Sequence, residues 1–333
     1  MCGLGYLSES ERENLPNLAK MQMDQSGANA MFSLVTACMN REAHLRRSLQ
    51  HWLKMSSVRE VVVVDWSNPS PLVELADLDS RIRVIRVEGE RRWILSYAYN
   101  LGVSRASHEL ILKCDADCLP EKAVEECCPG VDFFFAGHWK SGSAVGKPSV
   151  NGQCVVAKRQ FEEVNGYSEI IRSYGRDDED FYDRLISAGF ARREIGPDDF
   201  AFLPHSDNDR IRSQVEEKPA TTIDDFLERN LTFQEMRNFF LGRQMPWGRW
   251  FVRASYQCES KGERYEIVRR NQAGEIPVPP ALAEAARLFG LRYLIGTLWG
   301  LPPTVWEKLE EKACLNLLVE KLQGAKRGDD GSR

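Results

Sequence analysis

The hydrophobic residues in the first third of the chain follow two kinds of spacing. Short continuous runs, typical of buried strands, occupy residues 32–37, 61–64, 83–87 and 109–113. Residues 41–53 and 94–104 instead carry apolar side chains three and four positions apart, as in an amphipathic helix. Strands that alternate with helices in this way form a parallel sheet with helices on its faces. The pattern therefore predicts an α/β fold with a Rossmann-like, mostly parallel sheet.

A second block continues this predicted domain. Apolar runs at 131–136 and 154–157 flank a glycine-rich stretch at 141–152, and residues 178–188 have helical spacing. The block closes near His205.

Beyond residue 215 the pattern becomes mainly helical. The predicted elements are helices at 223–241, 281–299 and 303–322, with a short strand at 265–268. The helix at 281–299 is apolar almost all round, which is typical of burial against the first domain or against another subunit. Peripheral contact with a membrane surface is the less favoured alternative, because the polar face has no Lys/Arg cluster.

These changes of pattern divide the chain into four predicted parts. They are a loose polar extension at 1–30, an α/β domain at 31–215, a mainly helical region at 216–323 and a polar tail at 324–333. Met31 directly precedes the first strand, so it is an alternative to Met1 as the start of the protein.

The composition argues against several classes of protein. With 333 residues, of which 43% are hydrophobic and 28% charged, the chain can bury a large core. A net charge of −5 without a long basic run argues against a nucleic-acid partner. No run approaches the roughly 18 apolar residues of a membrane span. The nine cysteines form no Cys-x-x-Cys pair, and an odd number without a signal peptide favours reduced thiols in the cytoplasm.

Two acids, Asp115 and Asp117, directly follow the fourth strand. Carboxylates at a strand end can hold Mg²⁺ or Mn²⁺, which commonly carries the phosphates of a nucleotide. Taken alone, the pair is better explained as a strand-ending turn. However, the loops after the strands, at 36–41, 65 and 115, are expected to meet in one crevice. A nucleotide-dependent transferase is therefore the leading hypothesis, and the other residues of that crevice must decide it.

A second acidic group opens the predicted helix at 178–188. It consists of Asp177, Asp178, Glu179 and Asp180. The helix dipole accounts for one or two acids in a first turn, but it accounts poorly for four. Adjacent ionised carboxylates repel each other, which raises at least one pKa and suits a group that accepts a proton from a hydroxyl.

Three more residues are candidates for the same crevice. Asp65 can accept hydrogen bonds from a base or a ribose, although a turn or helix-cap role explains it equally well. His205 offers an imidazole that suits Mn²⁺ and would complete a site begun by Asp117, although a lone histidine is more often a packing residue. Gly152 lets the backbone approach a ligand, although glycine also simply makes turns.

The order and spacing of these motifs resemble the β-1,4-galactosyltransferases and related family 2 glycosyltransferases of the GT-A fold. The resembling segments are 36–45, 63–67, 114–120, 151–167, 174–185 and 205–206. Within the acidic motif, Tyr174, Arg176 and Asp177 replace a Trp, a Gly and a Glu of the family. These replacements leave the metal and base positions intact but put the identity of the sugar in doubt. The region after residue 215 resembles no family.

The resemblance implies an inverting, metal-dependent transfer of a sugar from UDP to an acceptor hydroxyl, with a sugar of the galactose, N-acetylgalactosamine or glucose type. The implied catalytic residues are the base Asp178 and its neighbour Asp177. Mn²⁺ or Mg²⁺ is implied on Asp117, His205 and Asp115. The implied donor contacts are Thr36, Arg41, Asp65, Arg91 or Arg92, Asp115 and Gly152. The acceptor would be a glycan, a glycolipid or another hydroxyl compound.

Two alternatives stand beside this reading. A nucleotidyltransferase shares the sheet and its paired acids, but its usual first loop is Gly-rich with Arg and Lys, unlike residues 36–41. A non-catalytic sugar-nucleotide-binding module would be indicated by loss of the base or of the metal acids, and both are present.

Overall fold

The computed structural model describes residues 31–138, 140, 150–204 and 221–329. Three features of the sequence fall outside these ranges: the N-terminal extension, most of the glycine-rich stretch, and His205. The described residues form one large sheet, one small sheet and the helices around them.

Eleven strands are present in the described ranges. Their bounds are β1 Phe32–Cys38, β2 Val58–Trp66, β3 Ile82–Glu88, β4 Leu110–Lys113, β5 Cys118–Pro120, β6 Phe133–Gly137, β7 Cys154–Ala157, β8 Ala191–Ile195, β9 Phe200–Phe202, β10 Tyr256–Lys261 and β11 Tyr265–Arg270. The large sheet has the order β10-β11-β3-β2-β1-β4-β7-β6-β8, and β5 pairs with β9 apart from it. Within the large sheet β7 and β10 are antiparallel to their neighbours, and the other pairs are parallel. The predicted mixed, mostly parallel sheet is confirmed.

The central strand β2 is buried on both faces. Val61 to Val64 have no exposed surface, as the continuous β-branched run predicts for an interior parallel strand. Val62 and Val64 pack in the cluster that contains Tyr97 and Leu101. Val61 and Val63 point the other way, into the cluster that contains Leu45 and Trp52. The sheet therefore has a hydrophobic layer on each side, each covered by helices.

The helices agree with the predicted ones in the α/β domain and differ in the C-terminal region. Their bounds are α1 Glu42–Trp52, α2 Leu95–Arg105, α3 Lys158–Glu163, α4 Asp177–Ser187, α5 Ile223–Leu227, α6 Leu231–Gln244, α7 Pro280–Trp299, α8 Pro303–Trp306 and α9 Glu311–Asp329, and short 3₁₀ helices occupy Val73–Asp77, Lys122–Glu126 and Gln272–Gly274.

Two predicted helices are each broken into two. The predicted helix at 223–241 stops at Leu227, and a new one starts after Asn230, whose side chain accepts a hydrogen bond from Phe233 N at 2.9 Å. Such an N-cap begins a helix by satisfying one of its free N–H groups. The predicted helix at 303–322 is likewise divided into α8 and α9. In addition, α9 continues to Asp329, so the polar tail predicted from residue 324 begins inside a helix.

The C-terminal region is mainly helical, as predicted, but it also completes the large sheet. β11 pairs in parallel with β3, and β10 forms the outer edge next to β11. The large sheet therefore extends across the boundary predicted at residue 215, while one hydrophobic cluster, around Leu227, Leu291 and Leu318, is formed only by residues beyond it. No helix in the described ranges is both long enough and apolar enough to cross a membrane.

Candidate active site

The carboxyl end of β4 and the beginning of β7 lie side by side, because β7 runs antiparallel to β4 and pairs Lys113 with Cys154. This register brings Asp115, two residues beyond Lys113, next to Gln153 and Gly152. The carboxyl ends of β1 and β2 lie at the same edge of the sheet, since they run parallel to β4. The crevice predicted from the loops is therefore formed at this edge.

Asp115 is held in place from three sides. Gln153 Nε2 donates to Asp115 Oδ2 at 2.9 Å, and Gln153 Oε1 accepts from Asp115 N at 3.1 Å. The hydroxyl of Tyr99 donates to Asp115 Oδ1 at 2.9 Å, and Lys113 Nζ lies 3.2 Å from the same oxygen. The carboxylate remains 37% exposed. It is thus fixed in direction and still accessible to a ligand.

Lys113 connects the two acidic motifs. Its ammonium group lies 3.2 Å from Asp115 Oδ1 and 3.2 Å from Asp178 Oδ1, donates to Gly152 O, and sits 4.5 Å above the ring of Tyr99. Burial alone would lower the pKa of Lys113, but the two carboxylates raise it above its usual value. Lys113 therefore stays charged and offsets part of the negative charge of the crevice.

Asp178 lies in the first turn of α4, close to the end of β4 although more than 60 residues along the chain. Its Oδ1 accepts a hydrogen bond from the Tyr167 hydroxyl at 3.0 Å. Burial raises the pKa of Asp178 to about 6; Lys113 opposes this shift and Asp115 adds to it. A carboxylate of this kind is ionised near neutral pH and is a stronger base than an exposed Asp.

Asp177 is also buried, next to Asp178. Burial and the charge of Asp178 raise the pKa of Asp177 well above its usual value. Ionisation of Asp178 thus disfavours ionisation of Asp177, which is the mutual effect that the sequence pattern predicts. The third acid, Glu179, accepts a hydrogen bond from Asn151 Nδ2 at 3.0 Å, and the fourth, Asp180, pairs with Arg184 at 2.8 Å.

Gly152 lies against both motifs. A Cβ atom at this position would stand 2.6 Å from Asp115 Oδ2 and 3.5 Å from Asp178 Oδ2. No side chain fits there without displacing Asp115. The glycine is therefore required by close approach to the acids, in addition to its place in a turn.

Asp117 is largely buried and forms an ion pair with Arg41, whose NH1 lies 2.7 Å from Asp117 Oδ2. Its backbone oxygen accepts a hydrogen bond from Leu203 N at 2.8 Å, next to the pairing of β5 with β9. This described range ends one residue after Leu203, at Pro204. His205 itself lies outside the described residues.

Asp65 is fully buried, and its carboxylate is occupied within the protein. Its oxygens accept hydrogen bonds from Asn68 N, Asn68 Nδ2 and Leu72 N, and from Arg86 NH1 at 3.0 Å to both oxygens. The carboxylate of Asp65 thus organises the turn that follows β2. A contact with uridine stays a prediction and would require some of these bonds to be exchanged.

The other predicted donor residues lie around the same edge. Thr36 is buried in β1, and its hydroxyl has no hydrogen-bond partner among the described residues. Arg91 and Arg92 follow β3 and have exposed side chains, and the backbone oxygen of Arg92 accepts from Trp66 Nε1 at 2.8 Å. A cavity of about 690 Å³ adjoins this side, between the ends of β3, β10 and β11, and none of the predicted site residues lines it.

The sequence prediction missed four residues that organise the site. They are Tyr99, Lys113, Gln153 and Tyr167. Only Lys113 carried a signal in the sequence, because a charged residue at the end of an apolar strand needs buried partners of opposite charge. The other three hold the acids through contacts that depend on which strands are neighbours.

Two family models match the chain. The model described as glycosyl transferase family 2 matches residues 33–133, and the model described as the N-terminal domain of galactosyltransferase matches residues 146–205. The chain carries a glycosyltransferase domain. The first match contains Lys113 and the Asp-x-Asp stretch, and the second contains Gly152 and the acidic turn of α4. The two matches thus meet in the crevice. No curated protein matches the chain.

The chain resembles several solved structures. The catalytic domain of Drosophila β1,4-galactosyltransferase 7 in complex with xylobiose has a TM-score of 0.44 and 16% identity over 73% of this chain and 93% of that chain. A mutant of the same enzyme in complex with manganese, UDP-Gal and xylobiose has a TM-score of 0.43, with the same identity and coverage. A mannosyltransferase from Pyrobaculum calidifontis in complex with GDP-Man and Mn²⁺ has a TM-score of 0.44 and 15% identity over 95% and 90% of the two chains. Likeness at this level carries no argument about the donor or the acceptor of this chain.

Proposed function

We propose that the glycosyltransferase domain moves a sugar from UDP to an acceptor hydroxyl with inversion at the anomeric carbon. The observation that carries this proposal is the double ion pair of Lys113, which lies 3.2 Å from both Asp115 and Asp178. Lys113 thereby links Asp115, which is suited to the diphosphate end of the donor, to Asp178, which is suited to activating the acceptor hydroxyl. In a direct displacement these two ends of the reaction must lie close together.

The residues of the crevice fit a divalent cation in part. Asp115 and Asp117 offer hard oxygen ligands, and the Asp115 carboxylate is 37% exposed. Within the described residues no group of three or more His, Cys, Asp and Glu side chains is arranged as a metal site. His205 would supply the third ligand; Leu203, two residues before it in the sequence, donates its N–H to Asp117 O. Bound Mn²⁺ or Mg²⁺ supplies positive charge that stabilises the departing diphosphate.

The ion pair between Arg41 and Asp117 would have to open when the donor binds. Its separation of 2.7 Å means that Arg41 occupies Asp117 Oδ2 in the ligand-free protein. On donor binding, Arg41 would turn from this carboxylate to the nucleotide, together with the exposed side chain of Arg92. Arg41 would thereby keep the acid neutralised until the substrate arrives.

Asp178 would accept the proton of the acceptor hydroxyl. As the acceptor oxygen bonds to the anomeric carbon, the bond from that carbon to the UDP oxygen breaks on the opposite face. The Tyr167 hydroxyl at 3.0 Å and the ammonium group of Lys113 orient the carboxylate for this step. The pKa of about 6 keeps Asp178 ionised at neutral pH and still able to take the proton.

The type of sugar is proposed as galactose, N-acetylgalactosamine or glucose, on the strength of the motif order and the galactosyltransferase match over 146–205. Tyr174 and Arg176 stand where the resembling family has other residues, so a panel of donors is required. A location in the cytoplasm and self-association through the C-terminal helices stay predictions.

Release of UDP from a panel of UDP-sugars, with Mn²⁺ and with chelator, tests the proposal. We expect metal-dependent release with at least one hexose donor, stimulated by an acceptor sugar. Asp178→Asn should lower transfer about 100-fold or more while leaving the affinity for UDP nearly unchanged. Asp183→Asn, an exposed acid of the same helix, is the matched control.

Three outcomes would contradict the assignment. Substantial turnover by the Asp178→Asn enzyme would remove Asp178 as the base. Release of pyrophosphate from nucleoside triphosphates would favour a nucleotidyltransferase. Tight UDP-sugar binding without any turnover would favour a binding module.

A further inference from the structure

The acids of α4 are presented by a turn with an unfavourable backbone. Gly175 and Arg176 have φ values of 87° and 68°, in the left-handed region that residues other than glycine rarely adopt. Arg176 is the N-cap of α4, yet its side chain makes no capping hydrogen bond. Glycine tolerates this conformation at position 175, but no capping bond offsets it at Arg176, so the surrounding structure must hold the turn.

Helix α6, from the region after residue 215, makes the contacts that hold this turn. Asn238 Nδ2 donates to the backbone oxygens of Ser173, Tyr174 and Gly175 at 3.2, 3.0 and 2.9 Å. Its Oδ1 accepts from Ser173 Oγ at 3.0 Å. One turn earlier in α6, Gln234 Oε1 accepts from Tyr174 N at 2.9 Å.

Both amide side chains are buried, with Asn238 1% and Gln234 3% exposed. They lie four residues apart and so face the turn together from one side of α6. A buried amide is tolerated when its donors and acceptors are satisfied, and the backbone of 173–175 supplies most of these partners, with Ser173 Oγ and Glu228 O supplying the others. The two residues thus recognise the shape of the turn through its backbone.

Further contacts of α6 flank this pair. Glu235 Oε1 lies 3.2 Å from Arg176 Nε, and the Arg176 guanidinium lies 5.2 Å from the ring centre of Phe239. At Gly242, an added Cβ would lie 3.2 Å from Asp180 Oδ1. Helix α6 therefore contacts the chain on both sides of Asp177 and Asp178.

Helix α6 is in turn supported from behind by α7. At Gly290 of α7, an added Cβ would lie 2.9 Å from Phe233 O, and the rings of Phe240 and Phe289 are 5.3 Å apart. The close approach at a glycine and the aromatic contact fix α6 against the rest of the C-terminal region. The turn is thus held by a rigid element.

We propose that α6 is a positioning element of the active site, in which Asn238 and Gln234 fix the turn 173–176 and thereby set the direction of Asp177 and Asp178. The proposal rests on the proposed function for its catalytic consequence. A rotation of this turn would carry Asp178 away from Lys113 and Tyr167, which it now meets at 3.2 and 3.0 Å. Misplacement of a catalytic group by about 1 Å can lower a rate about 100-fold.

The test replaces Asn238 by Asp, which keeps the size and the acceptor oxygen but removes both N–H donors. The control is Gln160→Glu. Gln160 is also fully buried, its Nε2 donates to Gly130 O and Phe133 O at 3.0 and 2.9 Å, and its Oε1 accepts from Ala157 N at 3.0 Å. It lies in α3, at the opposite edge of the sheet. Glu235→Ala, at a partly exposed position, is a second and milder variant.

Two measurements are compared across these proteins. Amide hydrogen exchange of residues 173–180 in the ligand-free protein should become about tenfold faster or more in Asn238→Asp and stay unchanged in Gln160→Glu. The kcat for transfer should fall about 100-fold in Asn238→Asp, with the KM for the donor within about threefold of wild type. Gln160→Glu should keep the wild-type kcat even if its melting temperature falls by as much as that of Asn238→Asp. Glu235→Ala should also show faster exchange at 173–180 and a lower kcat, both to a smaller extent than Asn238→Asp.

Unchanged exchange at 173–180 in both Asn238→Asp and Glu235→Ala would overturn the proposal, as would a loss of kcat in Gln160→Glu equal to that in Asn238→Asp. If the wild-type protein transfers no sugar, the proposed function fails. The exchange experiment then decides by itself whether α6 holds the acidic turn.

Discussion

Asp178 illustrates what a single residue in this domain depends on. Its place in an acidic run makes it a candidate base, but its pKa depends on burial, Lys113 and Asp115, and its orientation depends on the hydrogen bond from Tyr167. Lys113 comes from β4 and Tyr167 from the segment before α4, so neither can be linked to Asp178 by spacing. At the scale of residues, the sequence identified the acids, and the fold supplied the groups that tune them.

Asp177 allows a prediction about pH and stability. Burial and the Asp178 charge raise the pKa of Asp177 above its usual value of 3.8, so the ionised side chain destabilises the folded protein. This cost is absent below the unfolded pKa and grows as pH rises through the folded pKa. Asp177→Asn should therefore stabilise the protein at pH 8, and the gain should shrink as pH falls toward 4.

Thermal unfolding of Asp177→Asn and wild type at several pH values measures this effect. Asp183→Asn, an exposed acid of the same helix, should change the melting temperature little at any pH. A destabilised Asp177→Asn protein at pH 8 would mean that the Asp177 carboxylate makes a favourable interaction that outweighs its repulsion by Asp178.

At the scale of elements, the site depends on which strands are neighbours. β7 enters beside β4 in the reverse direction, so the turn that precedes it lies at the same edge as the end of β4. The sequence predicted both strands as apolar runs. It carried no signal for their pairing, because two buried strands of similar composition can be ordered in several ways within a sheet.

Gly152→Ala tests the close approach of this turn to the acids. The added methyl group would lie 2.6 Å from Asp115 Oδ2, so either the carboxylate or the turn must move. We expect a loss of about 1–3 kcal/mol in stability and about tenfold weaker metal-dependent binding of UDP. Isothermal titration of UDP with Mn²⁺ measures the second effect.

Gly274→Ala provides the comparison, because a Cβ at Gly274 meets nothing within 4 Å. It should bind UDP as the wild type does. Unchanged binding in Gly152→Ala would show that Asp115 can shift without consequence, and would weaken its proposed place at the metal.

At the scale of the whole molecule, the region after residue 215 extends the large sheet and packs against the α/β domain. β11 covers the edge of β3 and buries Val268, and Arg105 pairs with Glu266 at 2.6 Å. Helix α6 holds the acidic turn from the other side. The sequence indicated a helical appendage here, because a single strand and amphipathic helices do not reveal what they pack against.

Truncation tests whether the α/β domain depends on the region after residue 215 for its stability. A chain that ends at residue 204 loses β10, β11 and α6, and it exposes the edge of β3. It should lose cooperative unfolding and tend to aggregate, whereas a chain that ends at residue 329 should behave as the full protein does. Circular dichroism during heating and size-exclusion chromatography compare the three proteins. Sharp unfolding of the short chain at the wild-type temperature would show that the C-terminal region is dispensable for the core.

The sequence by itself determined the alternation of strands and helices, the apolar central strand, and the two acidic motifs with their order. Those features are local, because hydrophobic spacing and turn residues act over a few positions. Only the tertiary structure decided that Lys113 joins the two motifs, that Asp65 is enclosed by hydrogen bonds, and that α6 supports the acidic turn. These features join residues far apart in the chain, and they depend on strand order and helix packing, which no local pattern encodes.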